Sequence, residues 1–170
     1  MLDGAPSTQF DKTVVVHTDG HPLRQPDGRG PQFAADGIAL SADGQTLYWQ
    51  ALTGKTLYSV PTAVLNDPAR APFATPTVVG TTHPADGLWI DAAGRFYITD
   101  PEHDAVEVAD HPGAPLKLLV HDPRLRWPDT FSQGADGSLY VTASHIQDSP
   151  WFKPDMKTTP SAIFKITPKS

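Results

Sequence analysis

ADGIALSADGQTLYWQ (residues 35–50), ADGLWIDAAGRFYITD (85–100) and PDTFSQGADGSLYVTA (128–143) are three copies of one pattern. The leading aspartates, Asp36, Asp86 and Asp129, stand 50 and 43 residues apart, and a glycine follows each by eight positions, at Gly44, Gly94 and Gly137. A tyrosine comes three or four residues later, at Tyr48, Tyr97 and Tyr140. Three markers in step over three copies identify an internal repeat. Within a copy the apolar period is two, as in Ile38/Leu40 and Leu88/Ile90, which is the alternation of a half-buried strand. The glycine marks a hairpin turn that needs positive φ. Second strands are predicted at Thr46–Gln50, Phe96–Thr99 and Leu139–Thr142, third strands at Thr56–Val60, Ala105–Ala109 and Ala162–Ile166, and fourth strands at Thr77–Val79 and Leu116–Val120. One short helical turn is expected near Thr62–Leu65.

Four antiparallel strands in a repeat of roughly 40–50 residues is the pattern of a β-propeller blade. The expected fold is therefore all-β, part of a β-propeller, with about two full blades and two partial ones. Residues 1–33 would end a preceding blade, with outer strands at Thr13–Val16 and His21–Arg24; 34–82 and 83–125 would be blades, and 126–170 an incomplete last blade. Propellers close with typically about 4–8 blades. An open arc leaves unpaired edges, so either a missing N-terminal half or self-association is expected to close the ring.

Composition narrows the function. Thirteen basic against nineteen acidic residues give a net charge of −6, which excludes the basic footprint of a nucleic-acid binder and argues against docking on anionic lipid. Cysteine is absent, so thiolate chemistry and cysteine metal sites are excluded. No apolar run reaches the roughly 18 residues of a membrane helix. The opening MLDGAPSTQF has neither a basic n-region nor an apolar h-region, so no signal peptide is read in this chain.

In a propeller, the connection into the innermost strand and the connection between the second and third strands share one face, where ligands bind. Asp36, Asp86 and Asp129 occupy the first class of connection. Gln50, Glu102, His103, His145 and Gln147 fall in or beside the second. Three carboxylates around an axis suit calcium, a hard cation with oxygen ligands; crowded carboxylates could also supply an acid and a base. The competing reading is purely structural, because an aspartate before a strand often caps its turn. His103 and His145 are the candidates for moving a proton near neutral pH. The last repeat carries about 14 extra residues, near Ser144–Ser161, with Trp151, Phe152, Lys153, Asp155 and Met156. A loop of that kind over a ligand face acts as a lid or packs the rim.

The strings at 35–65, 85–103 and DPRLRWPDTFSQGADGSLYVTASHI (122–146) resemble the major royal jelly protein/yellow family, especially its bacterial, L-dopachrome tautomerase-related members. The resemblance implies a secreted six-bladed propeller of about twice this length, with this chain its C-terminal half, binding a small molecule at the channel mouth. It also implies tautomerase-like activity. A more distant similarity is to the gluconolactonase/senescence-marker family, calcium-dependent lactonases. In that family an asparagine before an inner-strand glycine and an aspartate in a following blade hold the metal. Those positions match Asp36 and Asp86, with aspartate in place of the asparagine; the only asparagine here, Asn66, lies elsewhere. A third reading is a non-enzymatic ligand-binding or scaffold protein.

The unpaired edges predict that the isolated 170-residue chain self-associates. Light scattering is expected to give a mass above the 18.3 kDa of one chain, and a stable monomer would refute the expectation.

Overall fold

The computed structural model describes residue 2 and residues 4–167; residues 1, 3 and 168–170, assigned above to the first and last units, lie outside the described residues. After a small hairpin, β1 (His17–Thr18) and β2 (His21–Pro22), the chain forms three antiparallel meanders. The first is β3 (Ala35–Leu40), β4 (Thr46–Ala51), β5 (Thr56–Pro61) and β6 (Thr77–Thr81). The second is β7 (Leu88–Ile90), β8 (Phe96–Asp100), β9 (Ala105–Ala109) and β10 (Lys117–His121). The third has only β11 (Pro128–Gln133), β12 (Leu139–Ala143) and β13 (Ala162–Ile166). A single helical turn, α1 (Thr62–Leu65), follows β5. This is a partial β-propeller. The hairpin glycines behave as their spacing requires: Gly44, Gly94 and Gly137 have φ of +69°, +84° and +78°. Each donates its N–H to the carbonyl three residues back, at 2.8–2.9 Å.

The period-two pattern buries opposite faces of each sheet against different neighbours. Ala39 and Leu57 of the first sheet meet Leu88, Phe96, Ile98 and Ala109 of the second. Tyr97 and Val106, on the other face of the second sheet, meet Phe131, Leu139 and Val141 of the third. Leu57, Ile98, Val106 and Val141 are essentially inaccessible, and burial of each such side chain contributes roughly 1.5–3 kcal/mol. The innermost strands β3, β7 and β11 lie side by side, and glycine makes that approach possible. A Cβ on Gly37 would stand 2.6 Å from the carbonyl oxygen of Asp86, and one on Gly87 would overlap the carbonyl oxygen of Asp129.

The N-terminal segment takes a different course from the two outer strands expected of it. Residues 13–16 form no strand. The hairpin begins at His17 and turns through Asp19 and Gly20, both left-handed (φ +56° and +76°). Val16 and Leu23, which flank it, are buried with Leu52, Trp127 and Phe152. Two short strands lack the length to extend a sheet, so their apolar flanks are buried against the connections of the first and third sheets instead. The long loop of the last repeat splits its aromatics: Phe152 joins this cluster, whereas Trp151 is 61% exposed and leans on Phe33 with ring centroids 6.0 Å apart. The outward face of the first sheet leaves Ile38, Leu40 and Val78 exposed, and that of the third leaves Ile163 exposed.

Gly87→Ala is expected to lower unfolding free energy by about 3 kcal/mol, through forced separation of two backbones. Gly94→Ala, at positive φ with open space around it, should cost only about 1 kcal/mol. Urea unfolding measures both, and equal losses would contradict the close approach.

Candidate functional site

Each axial aspartate sits at the entrance to an innermost strand, and the threonine two residues after the repeat tyrosine fixes the backbone there. Thr99 Oγ1 accepts the N–H groups of Asp86 (3.1 Å) and Gly87 (2.9 Å), and Thr142 Oγ1 accepts that of Thr130 (3.0 Å). The first repeat has Gln50 at this position, and Gln50 points elsewhere. Hydroxyls hold the backbone in the second and third repeats, and among the described residues no axial carboxylate accepts a backbone N–H. Turn capping belongs to a second set at the opposite pole: Asp43, Asp91 and Asp136 accept the N–H groups of Gln45, Arg95 and Ser138 at 2.9–3.0 Å.

The axial carboxylates differ in surroundings. Asp86 is buried, and its Oδ2 accepts the indole N–H of Trp127 at 2.6 Å. Trp127 is itself fully buried and held at φ +53°. Asp129 is half-buried and accepts only the Thr130 hydroxyl, at 2.6 Å; Asp36 is exposed and accepts no hydrogen bond among the described residues. Burial first, then the charges of Asp129 and Asp36, push the Asp86 carboxyl up to about 7 against the Trp127 hydrogen bond. Loss of surrounding water and the charge of Asp129 also raise Asp36. The approach of Gly37 to the Asp86 carbonyl and of Gly87 to the Asp129 carbonyl brings the three aspartates to neighbouring strand entrances. Among the described residues none of them is in an ion pair with lysine or arginine.

The other residues singled out in the sequence divide between the boundaries of the sheets. Gln50 is fully buried, donating to the His83 carbonyl at 3.0 Å and accepting the Thr82 hydroxyl at 2.7 Å. Glu102 accepts the His17 N–H at 2.7 Å and so fastens the N-terminal hairpin. His103 is exposed, with Nδ1 2.7 Å from Asp100 Oδ2, and that hydrogen bond and the carboxylate charge raise its pKa. His145 is half-buried and left-handed (φ +56°), and its backbone N–H donates to the Arg126 carbonyl. Gln147 is fully buried with neither end of its amide hydrogen-bonded. His103 thus belongs to the second sheet's loop, whereas His145 is tied to the strand entrance of the third.

Two residues escape a reading based on repeats because neither is repeated. Trp127 is the partner of Asp86. Arg126 gathers Asp19 (2.6 Å), Asp148 (3.1 Å) and Asp104 (3.4 Å), one from each of three separate segments. Its hydrogen bond to Asp19 holds the guanidinium more firmly charged than usual. The available signal was the Arg-Leu-Arg-Trp run at 124–127, directly before the third repeat.

No family model and no curated protein matches the chain. Solved structures do. The chain is similar to a calcium-binding regucalcin of Agrobacterium tumefaciens, at 20% identity and a TM-score of 0.54, over 82% of this chain and 49% of that one. It is similar to a gluconolactonase of Xanthomonas campestris at 17% identity and 0.57, over 96% of this chain and 56% of that one. It is also similar to a luciferin-regenerating enzyme at 17% identity and 0.53, over 84% and 49%. The chain spans about half the length of these proteins. Likeness at such identities establishes the propeller fold, and the neighbours are of the gluconolactonase and regucalcin kind, the more distant of the two resemblances in the sequence.

The Asp86 environment predicts a pH signature in the presence of chelator. Below the ordinary carboxyl value of 3.8 both folded and unfolded chains hold the proton, so the group is neutral in its effect. Between 3.8 and about 7 the unfolded chain ionises first, and stability falls as pH rises, by about 4 kcal/mol in all. Asp86→Asn is therefore expected to be more stable than the parent at pH 8 and to lose that advantage near pH 4. Parallel pH profiles in denaturant titrations would contradict the burial of this charge.

Proposed function

We propose that the chain forms part of a gluconolactonase-like propeller that holds a divalent cation, calcium, at the axial carboxylates and hydrolyses a small cyclic ester. The supporting observation is the convergence of Asp36, Asp86 and Asp129 at one pole without basic partners. The chemistry of the donors suits a hard cation, all oxygen and negatively charged, with one oxygen of Asp86 engaged by Trp127 and the other uncommitted; the three carboxylates would have to draw closer to share one ion. A cation there would relieve the repulsion that raises Asp86 and Asp36. Bound calcium would polarise an ester carbonyl and lower the pKa of a water. The chain's own residues do the positioning: Trp127 orients Asp86, Thr99 and Thr142 fix the strand entrances, and Gly37 and Gly87 let those entrances meet. Closure of the ring would come from a further segment or a second copy.

A second reading, tautomerase-like chemistry of the yellow type, draws on His103. Its Nδ1 is held by Asp100 while the ring is 74% exposed, an arrangement suited to passing a proton to a bound small molecule. His145 has no comparable carboxylate partner among the described residues.

Calcium at 100 times its dissociation constant is expected to stabilise the protein by about 2.7 kcal/mol, seen as a rise of several degrees in Tm. Asp86→Ala should abolish the rise, together with any hydrolysis of simple lactones. The absence of a shift with every divalent ion tried would remove the metal-dependent reading, whereas proton exchange on an enolisable aromatic ligand, lost in His103→Gln, would favour the second.

A further inference from the structure

The boundary between the first and second sheets assembles a group of side chains that the axial site does not use. His83 lies in the connection from β6 to β7, Asp100 ends β8, and Glu107 is central in β9; one ligand atom from each lies within 4.8 Å of the other two. The hydrogen bonds around His83 balance only when a proton or another cation sits on each ring nitrogen. Its Nδ1 is 3.0 Å from the Pro84 carbonyl oxygen, which can only accept, so Nδ1 carries the hydrogen. In a neutral ring Nε2 then presents a lone pair. Yet Nε2 faces Glu107 Oε2 at 3.0 Å, and an ionised carboxylate also only accepts. Two lone pairs at that distance need a positive bridge, either a proton or a metal ion. Asp100 adds a second negative group, with a side chain only 7% exposed; its Oδ1 accepts the N–H groups of Glu102 and His103, and its Oδ2 lies 2.7 Å from His103 Nδ1, so it would offer an ion a remaining lone pair. Among the described residues Asp100 and Glu107 pair with histidines alone, never with lysine or arginine.

We propose that His83, Asp100 and Glu107 form a second metal site, selective for a first-row transition dication of the zinc class. One imidazole nitrogen with two carboxylate oxygens is a donor set that zinc accepts and calcium does not favour. Ligand bonds of about 2 Å to His83 Nε2 and Glu107 fit the present spacing with little movement. The surroundings are those of a supported ligand set. The Pro84 carbonyl fixes the His83 tautomer, and Gln50 holds the His83 backbone through its carbonyl. His103 hydrogen-bonds Asp100 and orients that carboxylate. The side chains of His83 and Glu107 are 21% and 23% exposed, so an ion has a path in and coordination positions remain for water. Because Gln50 belongs to the first sheet and two ligands to the second, a bound ion would strengthen the junction between them.

The test is titration of the 170-residue chain with zinc chloride, followed by calorimetry and by the imidazole 15N spectrum. One equivalent is expected to bind, to shift the His83 ring before the other histidines, and to raise Tm, with excess calcium unable to compete. His83→Gln and Glu107→Gln should each weaken binding about tenfold or more. His111→Gln should not, although His111 makes the same 3.0 Å contact from Nδ1 to a following proline carbonyl. Should His83→Gln fail to fold, the parent's imidazole spectrum and Glu107→Gln decide the matter. No binding, a first shift at another histidine, or affinity that survives Glu107→Gln would each overturn the site.

Discussion

Backbone meets backbone at the axis, and the rest of the arrangement depends on it. Gly37 lies against the carbonyl of Asp86, and Gly87 lies against that of Asp129, at separations no side chain allows. Sheets that touch only through side chains stack about 10 Å apart. Contact through glycine lets their inner edges converge while their outer strands splay, which is the wedge that a propeller requires. The same contact dictates the electrostatics. Each glycine follows or abuts an aspartate of the repeat, so bringing the strands together also brings the carboxylates together. Electrostatic repulsion among the axial carboxylates thus accompanies the close approach, beside the left-handed backbone held at Trp127 and His145.

One residue type performs two roles at the two poles, and environment separates them. Asp91 at the hairpin pole accepts the N–H groups of Ala93 and Arg95, the Arg95 guanidinium and the Tyr97 hydroxyl. Every lone pair of consequence is engaged, and the net effect is a carboxyl held below its usual range. Asp86, five residues earlier, accepts one indole N–H and meets two like charges. Asp91, with both oxygens taken up by four donors, is a structural part of the hairpin. A carboxylate left short of donors in a buried position has capacity for a ligand.

The blades were legible because their signals are local and repeated. Period-two alternation, a glycine at the turn and a tyrosine on the returning strand all lie within about 13 residues, and each copy corroborates the others. The structure follows those strands within a residue or two. Strand order also put Asp36, Asp86 and Asp129 at the entrances of the innermost strands, whereas Gln50, Glu102 and Gln147 are drawn into burial or contacts that strand order does not foresee. Contacts that join remote segments were not legible. Trp127 is 41 residues from Asp86, and Arg126 is 107 from Asp19; neither pair is marked by periodicity or composition. The N-terminal hairpin misled the reading because Thr13–Val16 is β-branched and reads as a strand, yet Val16 is buried by Trp127 and Phe152, not by a neighbouring sheet. The His83–Glu107 contact, spanning 24 residues, shares this character.

These remote contacts share a purpose that the repeats cannot serve. Identical blades would repeat the same contacts at every strand entrance and leave the connecting segments unfastened. Arg126 breaks that repetition by drawing Asp19, Asp104 and Asp148 onto the third sheet's entrance, so that the N-terminal hairpin and the long last loop are fastened to the same pole. Glu102 adds a second tie, through the His17 N–H. A half-buried guanidinium with three carboxylates is an expensive device for stability alone, because desolvation offsets much of the Coulomb gain. Its value lies in direction: it satisfies one arrangement of three segments and no other. The axial carboxylates thus come from repetition, and the asymmetry around them comes from the few residues that do not repeat.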